Sequence, residues 1–184
     1  MIVCIGWGSL IWCQKTLPVL GDWRTDGPEL PVEFARESRD KRITLVVCES
    51  APPVTVLWSA LDVSSLDHAK NALAEREGIR ARYIPESVGY WSRTGRSGHA
   101  GSSTIAAWAE EKGAEAVVWT ALKPKMGDDY RVPAEEEVIA HLKGLTGTAL
   151  EAAEEYVRLA PRQIATPYRT AIEQALGWTA KGLV

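Results

Sequence analysis

Ile2-Val3-Cys4-Ile5-Gly6-Trp7-Gly8-Ser9-Leu10-Ile11-Trp12 follows the first methionine, and its reading decides the rest of the chain. Residues 2–5 are apolar, partly β-branched and too few for a stable helix, so they predict a buried strand. Gly6 and Gly8 then flank a tryptophan. Glycine reaches backbone angles closed to other residues, so the chain can curl and aim the N–H groups of Gly8, Ser9 and Leu10 at one point. Such a nest of donors suits an anion. The same residues equally serve a tight turn that only closes a strand.

The chain has 184 residues, which predicts one domain over 1–184, long enough for a hydrophobic core without disulfides or metal. A net charge of -3 offers no basic field, so nucleic acid is not an expected partner. Three cysteines, Cys4, Cys13 and Cys48, are odd in number and lack a CxxC pair. They read as reduced thiols, and no metal-ligand spacing accompanies them. No basic region leads into a long apolar run, and no stretch of about 18 apolar residues occurs, so neither export nor a membrane span is expected. The cytoplasm is the expected compartment. Eight Trp stand against one Phe. Tryptophan packs cores, and its flat apolar area with one N–H donor also suits a cleft for a bulky ligand.

Residues 13–31, rich in Pro, Gly and Asp, read as an irregular surface excursion. Strands are expected at Val32–Arg36 and Arg42–Cys48, joined by a turn at Arg39-Asp40-Lys41, and again at Val54–Leu61. A helix over Leu66–Glu77 is capped by the preceding serines and stopped by Gly78. At 100° per residue, Leu66 and Glu77 point within about 20° of each other and Glu75 points opposite. Glu77 therefore belongs to the interior face, at the negative end of the helix dipole, where a carboxylate suits proton transfer. A frayed last turn, with Glu77 solvated or paired to Arg80 or Arg82, is the alternative.

Residues 79–103 mix glycines with Tyr90, Trp91, Arg93, Arg96 and His99 and read as a surface loop or lid, where Arg93 or Arg96 can meet a ligand carboxylate. They lack the order of a phosphate loop. A helix to about Lys112 and a last strand at Glu115–Leu122 follow. The C-terminal third is helical, beginning near Pro133, Thr148 and Thr166, with Pro167 at the first position of the closing helix.

The turn Trp7-Gly8-Ser9-Leu10, the later Glu77-Gly78 at a helix end and Pro167-Tyr168 at the head of a late helix together resemble the gamma-glutamylcyclotransferase family. The resemblance covers most of the chain in order. It implies an α+β fold, a small mixed β-barrel with flanking helices and a helical C-terminal third. It further implies an enzyme that cyclises a small-molecule γ-glutamyl amide or peptide to 5-oxoproline and releases an amine, without metal or organic cofactor. Glu77 is then the general acid/base. Trp7, Gly8, Ser9 and Leu10 bind the γ-glutamyl moiety, and Tyr168 closes over it. Trp7 departs from the family's Tyr and removes a phenolic hydroxyl from the site. A carboxylate-binding module without turnover is the alternative. A thiol nucleophile, Cys4 or Cys13 with His68, His99 or His141 as base, is a third reading.

Overall fold

The computed structural model describes residues 1–181. In chain order the strands and helices are β1 (Ile2–Gly6), β2 (Val19–Arg24), β3 (Glu29–Leu30), β4 (Val32–Glu37), β5 (Ile43–Val47), β6 (Val54–Thr55), β7 (Leu57–Leu61), α1 (Leu66–Glu77), α2 (Ile84–Ser87), β8 (Val88–Ser92), β9 (Gly95–Arg96), α3 (Ser102–Glu111), β10 (Ala116–Thr120), α4 (Glu135–Lys143), α5 (Gly147–Leu159) and α6 (Pro167–Leu176). The fold is mixed α+β. The chain divides into two compact units, each discontinuous in sequence: one of residues 1–6, 13–30 and 55–122, the other of 7–12, 31–54 and 123–184.

The first unit is built on a six-stranded mixed sheet, ordered β2-β7-β1-β10-β8-β9. Only β1 and β10 run parallel, with Cys4 opposite Val118 and Ile5 opposite Trp119. Both faces of this strand pair are covered, so its residues are apolar without alternation. Val3, Cys4, Ile5, Val117, Val118 and Trp119 are all fully buried. Alternation along the strands sorts the faces. Lys70 of α1 lies over Tyr90, on the face shared with Cys4. Trp108 of α3 meets Trp58 edge to face at 5.4 Å on the opposite side. Gly89 stands directly across from Trp119, whose indole occupies the space a side chain at 89 needs.

The second unit pairs β4 with β5 in an antiparallel hairpin, Phe34 opposite Leu45. Helix α6 packs on β4 and α4, and α5 on β5. Thr166 caps α6 by accepting from the Arg169 N–H, as the Thr-Pro start predicts. The buried Arg169 donates to the carbonyls of Pro161, Ile164, Val157 and Ala160, and so satisfies the open C-terminal end of α5.

Three expectations change. The described strands do not close into a barrel: the main sheet is open, with β2 and the two-residue β9 at its edges, and the β4–β5 ladder is separate. The excursion over 13–31 contains β2, which Ser59 anchors by donating to the Leu20 carbonyl at 3.3 Å. The supposed lid over 79–103 contains β8, an inner strand that pairs with β10 along its whole length. Its glycine at 89 is a packing device for Trp119, not a mark of mobility. No helix among the described residues is long and apolar enough to cross a membrane.

Candidate functional site

The turn after β1 belongs to the second unit and is held from beneath by one residue of β5. The Trp7 indole Nε1 donates to the Leu45 carbonyl at 3.1 Å, and the Leu45 N–H donates to the Tyr156 hydroxyl at 3.2 Å. Both groups of Leu45 are thereby used by side chains that cover this edge of the hairpin. Tyr156 comes from α5 and meets Trp12 edge to face at 5.4 Å. Within the turn the Gly8 carbonyl accepts from the Ile11 N–H at 3.0 Å.

The glycines serve a different purpose from the one expected. Neither Gly6 nor Gly8 has a positive φ. Gly8 is needed because the Tyr156 hydroxyl comes so close that a Cβ there would clash with it. The donor expectation fares otherwise. Gly8 and Leu10 are buried, and their N–H groups donate to no described atom, against the near-universal pairing of buried amides. Ser9 between them is half-buried and has an interaction of its own. Trp7 is buried with its only polar atom committed to Leu45, so it acts here as a brace for the turn.

Glu77 lies where the helix geometry puts it, in the first unit. Ser65 caps α1 by accepting from the His68 N–H, and Gly78 ends it in the left-handed conformation at φ 67°. Leu73 is fully buried, Glu75 exposed and the Glu77 side chain 20% exposed. Its Oε1 accepts from Arg76 at 2.6 Å, a partner other than the Arg80 or Arg82 considered above. Glu77 and Arg76 both act electrostatically on the Cys4 thiol in β1, with opposite signs.

Tyr168 sits half-buried in the first turn of α6, its hydroxyl donating to the Pro133 carbonyl at 2.8 Å and its N–H to Glu33 at 3.2 Å. Burial, and then the nearby Glu33 carboxylate, push its phenol above the ordinary value. Glu33, read from sequence only as part of a strand, is 2% exposed. Its carboxylate accepts from Thr166, the Phe34 N–H and the Tyr168 N–H, so it serves as an acidic plug at the positive end of α6. Burial raises its carboxyl above the usual range, and those three hydrogen bonds oppose the rise.

No family model, curated protein or solved structure matches the chain. The site therefore rests on its own chemistry. Cys4 is fully buried and its thiol is pushed up, chiefly by burial, which makes it a poor nucleophile. His141 is bonded to the Lys41 carbonyl at 2.7 Å, and no described histidine is hydrogen-bonded to a cysteine. Among the described residues no group of three or more His, Cys, Asp or Glu is placed to hold a metal ion. Seven tryptophans are buried; Trp12, beside the turn, is the one left partly open. Tyr156, Arg76 and Glu33 were missed from sequence. The first two act through main-chain partners that no residue pattern announces, while Glu33 had one available signal, an acid set between the apolar Val32 and Phe34-Ala35 in the first half of β4.

Proposed function

We propose that the chain is a gamma-glutamylcyclotransferase-like enzyme, cyclising a γ-glutamyl amide or peptide to 5-oxoproline with release of an amine. The open sheet and helical C-terminal third are then a variant of the cyclotransferase architecture. The observation that carries the reading is the pair of N–H groups at Gly8 and Leu10, both buried residues, with no acceptor among the described residues. An unpaired buried donor costs about 1–3 kcal/mol, and a carboxylate or a developing oxyanion offsets that cost when it binds. Supporting it is a half-buried carboxylate, Glu77, at the expected helix end.

In this scheme the turn at residues 7–10 holds the γ-glutamyl end in a folded conformer, which supplies several kcal/mol of the barrier by orientation. The α-ammonium gives up one proton to water and its lone pair attacks the carbonyl carbon of the γ-amide. A C–N bond forms within the ring as the carbonyl takes up negative charge. Glu77 takes the second proton from the ring nitrogen and delivers it to the departing nitrogen. The γ-amide bond breaks, the carbonyl re-forms in 5-oxoproline, and the amine leaves neutral before taking up the first proton from water. No covalent enzyme intermediate arises. Tyr168 flanks the substrate from α6 in this reading.

A second reading, a carboxylate-binding module without turnover, uses the same N–H groups and leaves Glu77 in its ion pair with Arg76. One experiment separates the two. The purified chain and a Glu77→Gln variant are incubated with a panel of γ-glutamyl amides, of amino acids and of aromatic amines, and 5-oxoproline is followed by mass spectrometry. Turnover by the native chain that the variant loses supports the enzyme. Binding of the panel compounds without turnover supports the module, and neither binding nor turnover overturns both.

A further inference from the structure

We infer that Arg76 is the positioning residue of Glu77, fixing its carboxylate by clamping it to the main chain at Cys13. This deepens the cyclotransferase reading and rests on it. Adjacent residues of a helix point about 100° apart and do not ordinarily meet. Here they do, because the guanidinium is held elsewhere. Its Nε and one terminal nitrogen both donate to the Cys13 carbonyl, at 3.2 and 2.6 Å, while the other terminal nitrogen donates to Glu77 Oε1 at 2.6 Å. The planar fork of arginine is the side chain that grips one acceptor with one edge and offers a second donor pair to another.

Two further observations separate this from an ordinary surface pair or a helix cap. The Arg76 side chain is only 5% exposed, so the entropy of ordering it is already spent and its hold on Glu77 is not that of two solvated chains. The end of α1 does not need it either. The Gly78 N–H donates to the Ala74 and Glu75 carbonyls and the Ile79 N–H to Ala74, so the last turn is closed by its own backbone. Arg76 reaches instead to a carbonyl 63 residues earlier in the chain. With Oε1 tied in this way, Oε2 is the oxygen presented to the substrate amine.

The test measures kcat and KM for the best γ-glutamyl amide of the panel with the native chain, Glu77→Gln, Arg76→Lys and Arg76→Met, each checked for native circular dichroism. Misplacing a catalytic group by about 1 Å costs on the order of 100-fold. Arg76→Met is expected to lose 10- to 100-fold in kcat with KM within about threefold, and Arg76→Lys to recover part of it, since an ammonium reaches one acceptor but not both. A merely structural arginine would not confine its effect to kcat in a folded variant. Should Arg76→Met not fold, Arg76→Lys carries the test alone, with a kcat loss of at least about fivefold at near-constant KM expected. Loss of turnover in Glu77→Gln with native kcat in the folded Arg76 variants overturns the inference and leaves the cyclotransferase reading standing. Absence of turnover by the native chain overturns both.

Discussion

Replacing Gly8 by alanine puts a methyl group where the Tyr156 hydroxyl already is. A Cβ at position 8 would meet the hydroxyl oxygen at 2.4 Å and the ring carbon bearing it at 3.4 Å. Ordinary contact begins near the second distance, so the oxygen has to retreat by about 1 Å. The ring cannot retreat freely, because Trp12 and Phe34 meet it edge to face at 5.4 and 6.3 Å. Any retreat also breaks the bond from the Leu45 N–H, already 3.2 Å long. Overpacking costs roughly 1–3 kcal/mol and the lost hydrogen bond about 1 more, offset by about 0.5 because alanine restricts the unfolded chain. A net loss of about 2–3 kcal/mol is expected. Tyr156→Phe alone leaves the Leu45 N–H unpaired and costs about 1–2 kcal/mol. In that background the offending oxygen is gone, so Gly8→Ala should cost close to nothing, a coupling of about 2 kcal/mol. Urea melts of the native chain, both single variants and the double variant, followed by far-UV circular dichroism at matched m-values, measure it. Additivity within about 0.5 kcal/mol would refute the account of Gly8 as a site of close approach and return the turn to a backbone-conformation explanation.

Gly89→Ala should be more damaging, because its Cβ would lie 2.1–2.5 Å from the fully buried Trp119 indole with no oxygen to remove; a loss of about 3 kcal/mol or more is expected in the same melts, with faster amide exchange along β8 and β10. Glu33→Gln tests the acidic plug. Because burial raises the folded carboxyl above its unfolded value, the stability it contributes is fully present below about pH 4 and is lost as pH rises through the folded value. The melting-temperature advantage of the native chain over Glu33→Gln should therefore shrink between pH 4 and pH 7, and an advantage that grows over that range would show that the three hydrogen bonds to the carboxylate outweigh its burial.

What could be read from the residues was whatever depends on periodicity and punctuation. The strand at 2–6, the hairpin of β4 and β5, the helix ending at Glu77-Gly78 and the Thr-Pro start of α6 all carry local signals, and each is present. The misses have physical causes of their own. Residues 19–24 carry Gly21 and Asp22, poor strand formers, yet pair with β7 as an edge strand where a register shift is tolerated. In β8, Gly89 looked like a loop residue because its partner, the Trp119 ring, is 30 positions away in the sequence. Glu33 broke the rule that acids face water because the positive end of α6 comes to it.

The candidate site shows why local reading stops short. Trp7 binds the Leu45 carbonyl, Tyr156 the Leu45 N–H, and Arg76 the Cys13 carbonyl. In each case the residue that does the work is a side chain, and the group it works on is main chain, which every position possesses alike. No pattern of residue types at 13 or 45 marks them as anchors; only the fold chooses them. The same reasoning gives the turn its meaning. The N–H groups of Gly8 and Leu10 have no acceptor among the described residues, while the turn they belong to is held by the Trp7 indole on the Leu45 carbonyl. A strand-closing turn built for stability alone would satisfy them first. Under the cyclotransferase proposal, bracing from outside with donors left open inside suits a turn that takes up an anion, and turnover of a γ-glutamyl amide is what separates that reading of Trp7-Gly8-Ser9-Leu10 from a purely architectural one.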